Sequence, residues 1–240
     1  LYRYDKVSGY YQSIAPQSKG EQASLRFNWN AGFAKDPFNS DGVYYGSQFV
    51  HKSLDKGANW EIISPDLTTN NPNYQKGDYG GLTLDISGAE NYTSILTIAP
   101  SHLNQEVIWI GTDDGQLQIT RNGGINWKNL TSQIKGLPKE SWIARIHASR
   151  YEEGTAWVIA NNYRKGDYRP FLFKTSDFGK SWMSIVDQTD VKGYTLSFIQ
   201  DPVNEKLLFL GTENGLWVSI NEGESWTKIK NGFPSVSTCL

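Results

Sequence analysis

An eight-residue pattern recurs four times in this 240-residue chain and constrains its fold more than any other feature. Each copy has Ser or Thr, then Asp or Asn two positions later, Gly two positions after that, and Trp after three more. Short polar side chains accept hydrogen bonds from the amides of their own turn, and Gly supplies a positive φ. Each copy lies between two short β-type segments, so the pattern predicts hairpin turns. The copies comprise Ser53, Asp55, Gly57 and Trp60; Thr120, Asn122, Gly124 and Trp127; Thr175, Asp177, Gly179 and Trp182; and Ser219, Asn221, Gly223 and Trp226.

The spacing of these repeats predicts a β-propeller. Successive Trp residues at 60, 127, 182 and 226 lie 67, 55 and 44 positions apart, and the shortest interval suits one four-stranded blade. The longer intervals imply inserted loops. Segments preceding the repeats predict the first strands Arg26–Asn30, Ile95–Pro100, Ile143–His147 and Leu196–Pro202, and the second strands Gly42–Gly46, Val107–Gly111, Thr155–Ile159 and Leu207–Gly211.

The predicted fold class is therefore all-β, a propeller of four-stranded blades seen as a partial ring of about four full blades and two partial ones. An unclosed ring leaves sheet edges unpaired, so we expect the remaining blades of a longer parent chain to be its first partners. The predicted divisions are the end of a preceding blade at 1–14, four blades at 26–68, 95–131, 143–186 and 196–230, and the start of a next blade at 236–240.

Composition excludes several classes of function. The chain carries a net charge of −2 and no clustered basic residues, which argues against a nucleic-acid partner. No run approaches the roughly 18 apolar residues of a membrane span. The single Cys239 cannot form an internal disulfide, and the three His residues share no metal-ligand spacing, so we expect no metal and no cofactor.

The eight-residue pattern resembles the Asp-box (BNR) repeat, S/T-x-D-x-G-x-x-W, of sialidases, sortilin-type receptors and some xyloglucanases. Further segments resemble large secreted repeat proteins, abundant in Bacteroidetes-type bacteria, that carry a sortilin-like propeller and are often labelled glycosyl hydrolases. This resemblance runs from Leu1 to roughly Pro234 and implies export to the periplasm, the outer membrane or the medium. It rests on Arg26–Asn30 with Gly42–Gly46, Ser64–Thr68, Gly111–Gly115 and Gly211–Gly215.

Acidic residues in the turns between second and third strands are candidates for catalysis. Asp113, Asp114 and Glu213 occupy such turns and could supply a carboxylate pair for glycoside cleavage or bind a cation. Their sequences, Asp-Asp-Gly and Glu-Asn-Gly, are also ordinary hairpin turns. The repeat carboxylates are predicted to be structural, because two of the four copies have Asn, which is neither acid nor base.

Polar residues on the predicted inner strands form a second group of candidates. Alternation places Arg145 and His147 on one face of their strand, and Arg26, Asn28 and Asn30 on one face of theirs. His147 could act as a general base or be a hydrogen-bonded structural residue.

The insertion Asn161–Pro170 is a candidate binding surface for a glycan or a protein. Its two Tyr and two Arg residues, Tyr163, Arg164, Tyr168 and Arg169, combine contact area with hydrogen-bond donors. The alternative is a solvated hairpin end. The loop Thr68–Gly81 belongs to the same category.

Two functions remain from the sequence. The first is an exported, non-catalytic propeller module for protein or glycan binding and assembly, with its functional surface on the face of the second-to-third-strand turns. The second is a xyloglucanase-like glycoside hydrolase with a two-carboxylate mechanism. In those enzymes, the resemblance implies, the two catalytic Asp residues come from separate propeller domains. A sialidase is disfavoured, because no three arginines stand at corresponding blade positions.

Overall fold

The computed structural model describes residues 1–18, 24–75 and 91–239, and almost all of the regular structure in them is β-strand. A two-stranded antiparallel hairpin comes first, formed by Tyr2–Tyr4 (β1) and Tyr11–Ser13 (β2). Three short 3₁₀ turns, Pro72–Tyr74, Thr131–Gln133 and Tyr163–Lys165, lie in the connections between strands.

Four four-stranded antiparallel sheets follow, and within each sheet every strand pairs with its neighbour in sequence. The chain is therefore a row of up-and-down blades, as the repeats predict. The first sheet contains Phe33–Lys35 (β3), Val43–Gly46 (β4), Val50–Ser53 (β5) and Glu61–Ile62 (β6), and the second contains Ile95–Pro100 (β7), Val107–Thr112 (β8), Leu117–Arg121 (β9) and Lys128–Asn129 (β10). The third contains Trp142–Ala148 (β11), Ala156–Asn162 (β12), Asp167–Thr175 (β13) and Met183–Ser184 (β14), and the fourth contains Thr195–Gln200 (β15), Leu208–Thr212 (β16), Gly215–Ser219 (β17) and Thr227–Lys228 (β18).

The hydrophobic core lies between successive sheets. One cluster joins the first and second sheets around Tyr44 and Ile95, a second joins the second and third around Trp109 and Ile143, and a third joins the third and fourth around Trp157. Each sheet is thus stabilised by burying apolar surface against its neighbours, which is the packing of propeller blades.

Glycine lets the inner strands of adjacent sheets approach closely. A Cβ on Gly46 would lie 2.8 Å from Cβ of Ile95, which begins the next sheet, and a Cβ on Gly111 would collide with Ile143 in the same way. At the other end of the row, a Cβ on Gly211 would collide with the backbone of Thr238. The Thr238 amide donates to the Thr212 carbonyl at 3.0 Å, as the Ile95 amide donates to Ser47 at 2.8 Å.

One predicted strand is wrong. The first strand of the first four-stranded sheet is Phe33–Lys35, whereas Arg26–Asn30 forms an irregular loop. The guanidinium of Arg26 bonds Asp66 at 2.7 Å and the Thr93 carbonyl at 3.0 Å, which fixes this segment to a neighbouring connection instead of to a ladder. Residues 236–239 likewise form no strand, although Thr238 is hydrogen-bonded to the last sheet.

All four repeat turns share one hydrogen-bond arrangement. The Ser or Thr hydroxyl accepts from the Gly amide at 2.8–3.0 Å. It donates to Oδ1 of the Asp or Asn at 2.7–3.0 Å. That same Oδ1 accepts the amide four positions after the Asx residue at 2.8–3.1 Å. Each repeat Gly has a φ between +79° and +105°. One oxygen makes these bonds equally in Asp and in Asn, so both residue types form the same turn.

The repeat Trp residues join neighbouring sheets as well as covering their own turns. The indole N–H groups of Trp60, Trp127 and Trp226 donate to the carbonyls of Ile14, Ile63 and Ile185 at 2.7–3.1 Å. Each acceptor follows the last strand of the preceding sheet. Ile14 follows the hairpin β1–β2, so this hairpin occupies the place of the outer half of a blade.

Candidate functional site

The turn between β8 and β9 carries two buried carboxylates. Asp113 accepts hydrogen bonds from the Ser94 amide and hydroxyl, both at 2.8 Å, and from the Asn28 side-chain amide at 3.1 Å. Burial raises the pKa of Asp113 to about 6, and these hydrogen bonds oppose that rise. The carboxylate therefore ties the turn to the start of β7 and to the loop that contains Asn28.

Asp114 points to the other side of the same turn. Its carboxylate accepts from the Thr69 amide at 2.8 Å, from the Thr69 hydroxyl at 2.7 Å, and from the hydroxyl of Thr112. Both aspartates are fully buried and are bonded to protein donors. Glu213, at the matching turn of the last sheet, is partly exposed and lies beside Gly193.

The inner strands β3, β7, β11 and β15 line a cavity of about 670 Å³. Arg145 and His147 both reach it, as their alternation predicts, together with Asn30. Arg26 and Asn28 do not line it. Arg145 is exposed in this cavity, whereas His147 is partly buried.

His147 contributes mainly to packing between the third and fourth sheets. Its ring lies 6.0 Å from the ring of Trp157 and 5.7 Å from that of Phe198, and Nε2 accepts the Gln200 amide at 3.4 Å. Desolvation and, to a smaller extent, the positive charges of His102, Arg150 and Arg145 together lower the pKa of His147 to about 4. The imidazole is therefore neutral at pH 7.

The insertion between β12 and β13 places an arginine between two aromatic rings. The guanidinium carbon of Arg164 lies 3.3 Å from the ring centroid of Trp142 and 4.4 Å from that of Tyr163. The ring of Tyr163 stacks in turn on Tyr194 at 4.4 Å. Tyr168 is 57% exposed and tilts towards Tyr194 at 6.2 Å. We call Trp142, Tyr163, Arg164, Tyr168 and Tyr194 the aromatic cluster.

The other cations of this insertion are paired. Arg169 bonds both carboxylate oxygens of Asp167, at 2.9 and 2.7 Å, and Lys165 bonds Glu140 at 2.8 Å. Arg169, a predicted binding residue, is thus engaged within its own strand. Arg164 and Arg145 have no carboxylate within 4 Å in the part of the chain that the structure describes.

Sequence reasoning missed Trp142 and Tyr194. Both residues stand immediately before or at the start of an inner strand, β11 and β15, on the connection that emerges beside the second-to-third-strand turns. Tyr92 extends the cluster, since its ring lies 6.3 Å from Trp142 and 5.1 Å from Tyr74. The sequence signal that could have identified Trp142 and Tyr194 is an aromatic residue immediately before or at the start of a predicted inner strand. The predicted loop Thr68–Gly81 lies only partly within the described residues.

Two further classes of site are not found among the described residues. They contain no cluster of three or more His, Cys, Asp or Glu side chains that could hold a metal ion. No helix in the ranges 1–18, 24–75 and 91–239 is long and apolar enough to cross a membrane.

Sequence relatives include sortilin and a xyloglucanase. No protein-family profile matches the chain. Rat sortilin is 27% identical over 165 residues, which cover 68% of this chain and 19% of sortilin. An oligoxyloglucan-reducing end-specific xyloglucanase from Emericella nidulans is 26% identical over 126 residues, which cover 52% of this chain and 15% of the enzyme. The chain therefore spans less than a fifth of these relatives.

A solved structure with a similar fold is that of an ancestral GH74 enzyme. It superposes with a TM-score of 0.60 and 19% identity, over 88% of this chain and 26% of the enzyme. At this identity the likeness concerns the fold, and it agrees with the row of four-stranded sheets.

Proposed function

Because the chain is an Asp-box β-propeller of the sortilin-like kind, we propose that it is an exported, non-catalytic module that binds a glycan. The binding surface is the face formed by the aromatic cluster and the mouth of the central cavity. One observation carries this proposal: Tyr, Trp and Arg side chains from β11, from the β12–β13 insertion and from the residue before β15 converge there on a rigid scaffold.

The chemistry of the carboxylates supports binding over hydrolysis. A two-carboxylate glycosidase needs an acid and a base facing its substrate across a gap of roughly 5–9 Å. Asp113 and Asp114 are buried and hydrogen-bonded to Ser94, Asn28, Thr69 and Thr112. The described lining of the central cavity contains no Asp or Glu.

Binding is tested with the full-length protein against a panel of glycans, including xyloglucan oligosaccharides, by calorimetry. We expect a glycan to bind without turnover, and the double change Tyr163→Ala with Tyr168→Ala to weaken its affinity by about tenfold or more. The matched control is Tyr11→Ala, a residue 67% exposed on the hairpin β1–β2. The proposal would be overturned if the full-length protein binds a protein ligand and binds none of the glycans in the panel.

The second candidate function is hydrolysis of a polysaccharide by two carboxylates. The xyloglucanase relative and the GH74 fold favour it. On this hypothesis Asp113→Asn or Asp114→Asn abolishes turnover of xyloglucan while binding is retained. Unchanged turnover in both variants would exclude these aspartates as catalysts.

A further inference from the structure

We propose that the central cavity binds the carboxylate groups of an acidic polysaccharide, with Arg164 and Arg145 as the receptors for the anion. This inference rests on the proposed glycan binding and specifies the class of glycan. Three features carry it: the charge of the lining, the held position of Arg164, and the polar and aromatic groups around the cations.

The lining of the cavity has cations without anions. It contains Lys35, Arg145 and Arg164, and no Asp or Glu among the described residues. The whole chain has 25 acidic against 23 Lys and Arg residues, so the cavity concentrates positive charge in a slightly acidic protein. A concave surface of one sign focuses its field and attracts ions of the opposite sign.

Among the described residues, no Lys or Arg side chain of the cavity lining is paired with a carboxylate. In the described residues, six Lys or Arg side chains have a carboxylate oxygen within 4 Å, and none of these six lines the cavity. The contrast is sharpest within one insertion, where Lys165 pairs with Glu140 but its neighbour Arg164 has no such partner. Arg164 is therefore free to pair with an anionic ligand.

Stacking fixes the plane of the Arg164 guanidinium before any ligand arrives. Its carbon lies 3.3 Å from the Trp142 ring centroid and 4.4 Å from that of Tyr163, and its one hydrogen bond within the described residues is a long contact of 3.5 Å to Oδ1 of Asn161. The ring faces hold the guanidinium while its N–H edge remains available. A guanidinium edge matches a carboxylate through two parallel hydrogen bonds, and preorganisation reduces the entropy lost on binding.

The neutral part of the lining suits a sugar chain. Phe33 is 51% exposed and lines the cavity, so one apolar ring is open to the face of a pyranose. The side-chain amides of Asn30 and Asn161 also line it and can bond sugar hydroxyls. The volume of about 670 Å³ lies within the range of ordinary ligand sites.

The test compares two ligands that share one sugar backbone and differ only in methyl esterification of their carboxylates, which removes the charge. A homogalacturonan oligosaccharide and its fully methyl-esterified form are titrated into the full-length protein by calorimetry at low and high salt. We expect the acidic form to bind at least about tenfold more tightly, and this preference to shrink as salt rises. Arg164→Met and Arg145→Met should each remove most of the preference and leave the affinity for the ester unchanged.

The control variant is Lys165→Met, which removes the same charge from an adjacent exposed residue that already has a carboxylate partner. It should leave the preference for the acidic form intact. If Arg164→Met lowers the melting temperature, Arg164→Lys keeps the charge and tests whether the planar fork is needed. Arg145→Met supplies an independent arm, because Arg145 has no described salt bridge to lose.

Several results would overturn the inference without touching the proposed function. Equal affinity of the wild type for the acid and the ester would do so. An equal fall in the affinity for both ligands in Arg164→Met would also do so. Binding of an acidic peptide with refusal of the oligogalacturonate would also overturn it. If no glycan of any charge binds, the proposed function itself fails.

Discussion

At the scale of single residues, the Asp-box turn depends on a glycine that faces the preceding sheet. Gly57 combines a φ of +83° with close contact to Ile14 and to its own Trp60. Gly223 is placed in the same way against Ile185, with a φ of +94°. The glycine therefore meets two demands at once: a left-handed backbone and space for a neighbouring side chain.

Gly57→Ala tests these two demands together. An added Cβ would lie 2.6 Å from Cδ1 of Ile14, so overpacking should cost about 1–3 kcal/mol in addition to the backbone strain. Gly123→Ala is the matched control, since its φ is +68° but no atom lies within 4 Å of the added carbon. That variant should lose only about 1–2 kcal/mol. The measurement is denaturant unfolding, and equal losses would contradict the contact with Ile14.

Trp182→Ala should destabilise the fold by about 3 kcal/mol, the lower end for a truncated Trp, because the indole is only partly buried. The ring lies 6.1 Å from Trp109 in the core and donates to the Gly179 carbonyl at 3.1 Å. Trp29→Ala is the control, since Trp29 is 70% exposed and its loss should cost less than about 0.5 kcal/mol. Similar unfolding midpoints for the two variants would mean that the Asp-box ring contributes no packing.

At the scale of elements, buried polar groups attach the irregular connections to the sheets. Asp113 in the β8–β9 turn accepts hydrogen bonds from Ser94 and Asn28, and Asp114 accepts one from Thr69. Arg26 holds Asp66 and the Thr93 carbonyl. Four of these five contacts span 40 or more residues of sequence, so the loops that surround the cavity mouth are positioned by charged side chains rather than by a strand ladder.

Asp113→Asn should change how stability depends on pH. The pKa of Asp113 is raised to about 6 in the folded chain, above its ordinary value of 3.8, so folding favours the protonated form. Its contribution to stability is full below about pH 4 and is lost as pH rises through about 6. The difference between wild type and variant in unfolding free energy should therefore fall across this interval and level off above it. A constant difference from pH 4 to 7 would contradict the burial of this carboxylate.

The sequence predicts the repeated elements better than the single ones. The turns and most strands of the last three sheets follow from the box residues and alternating apolar positions, because both recur at each blade. Arg26–Asn30 has a strand-like sequence, yet the ion pair with Asp66 holds it as a loop. The stacking of Arg164 on Trp142 joins the turn between β12 and β13 to the start of β11, and no local sequence pattern predicts that contact.

At the scale of the whole molecule, buried histidines make folding sensitive to acid. Desolvation lowers the pKa of both His51 and His147 to about 4, and it also lowers that of His102. A histidine with a lowered folded pKa stabilises the fold above its unfolded value of about 6.5 and loses this contribution as pH falls. The histidines therefore make stability increase with pH, whereas Asp113 makes it decrease.

We expect the free energy of unfolding to increase as pH rises from about 4 to 6.5, because in the described part of the chain two histidines have a pKa lowered to about 4 and one carboxylate has a raised pKa. His147→Gln should make this increase shallower. Denaturant midpoints measured at several pH values check the slope. A stability that falls steadily with pH over this interval would mean that the histidines are solvated in the folded chain.

The indole hydrogen bonds between sheets all run the same way along the chain. Trp60, Trp127 and Trp226 each donate to a carbonyl that precedes them in the chain, by 46, 64 and 41 residues. Each of these turns is therefore fastened to the sheet or hairpin before it, so the loss of one blade would also remove the hydrogen-bond acceptor of the next indole.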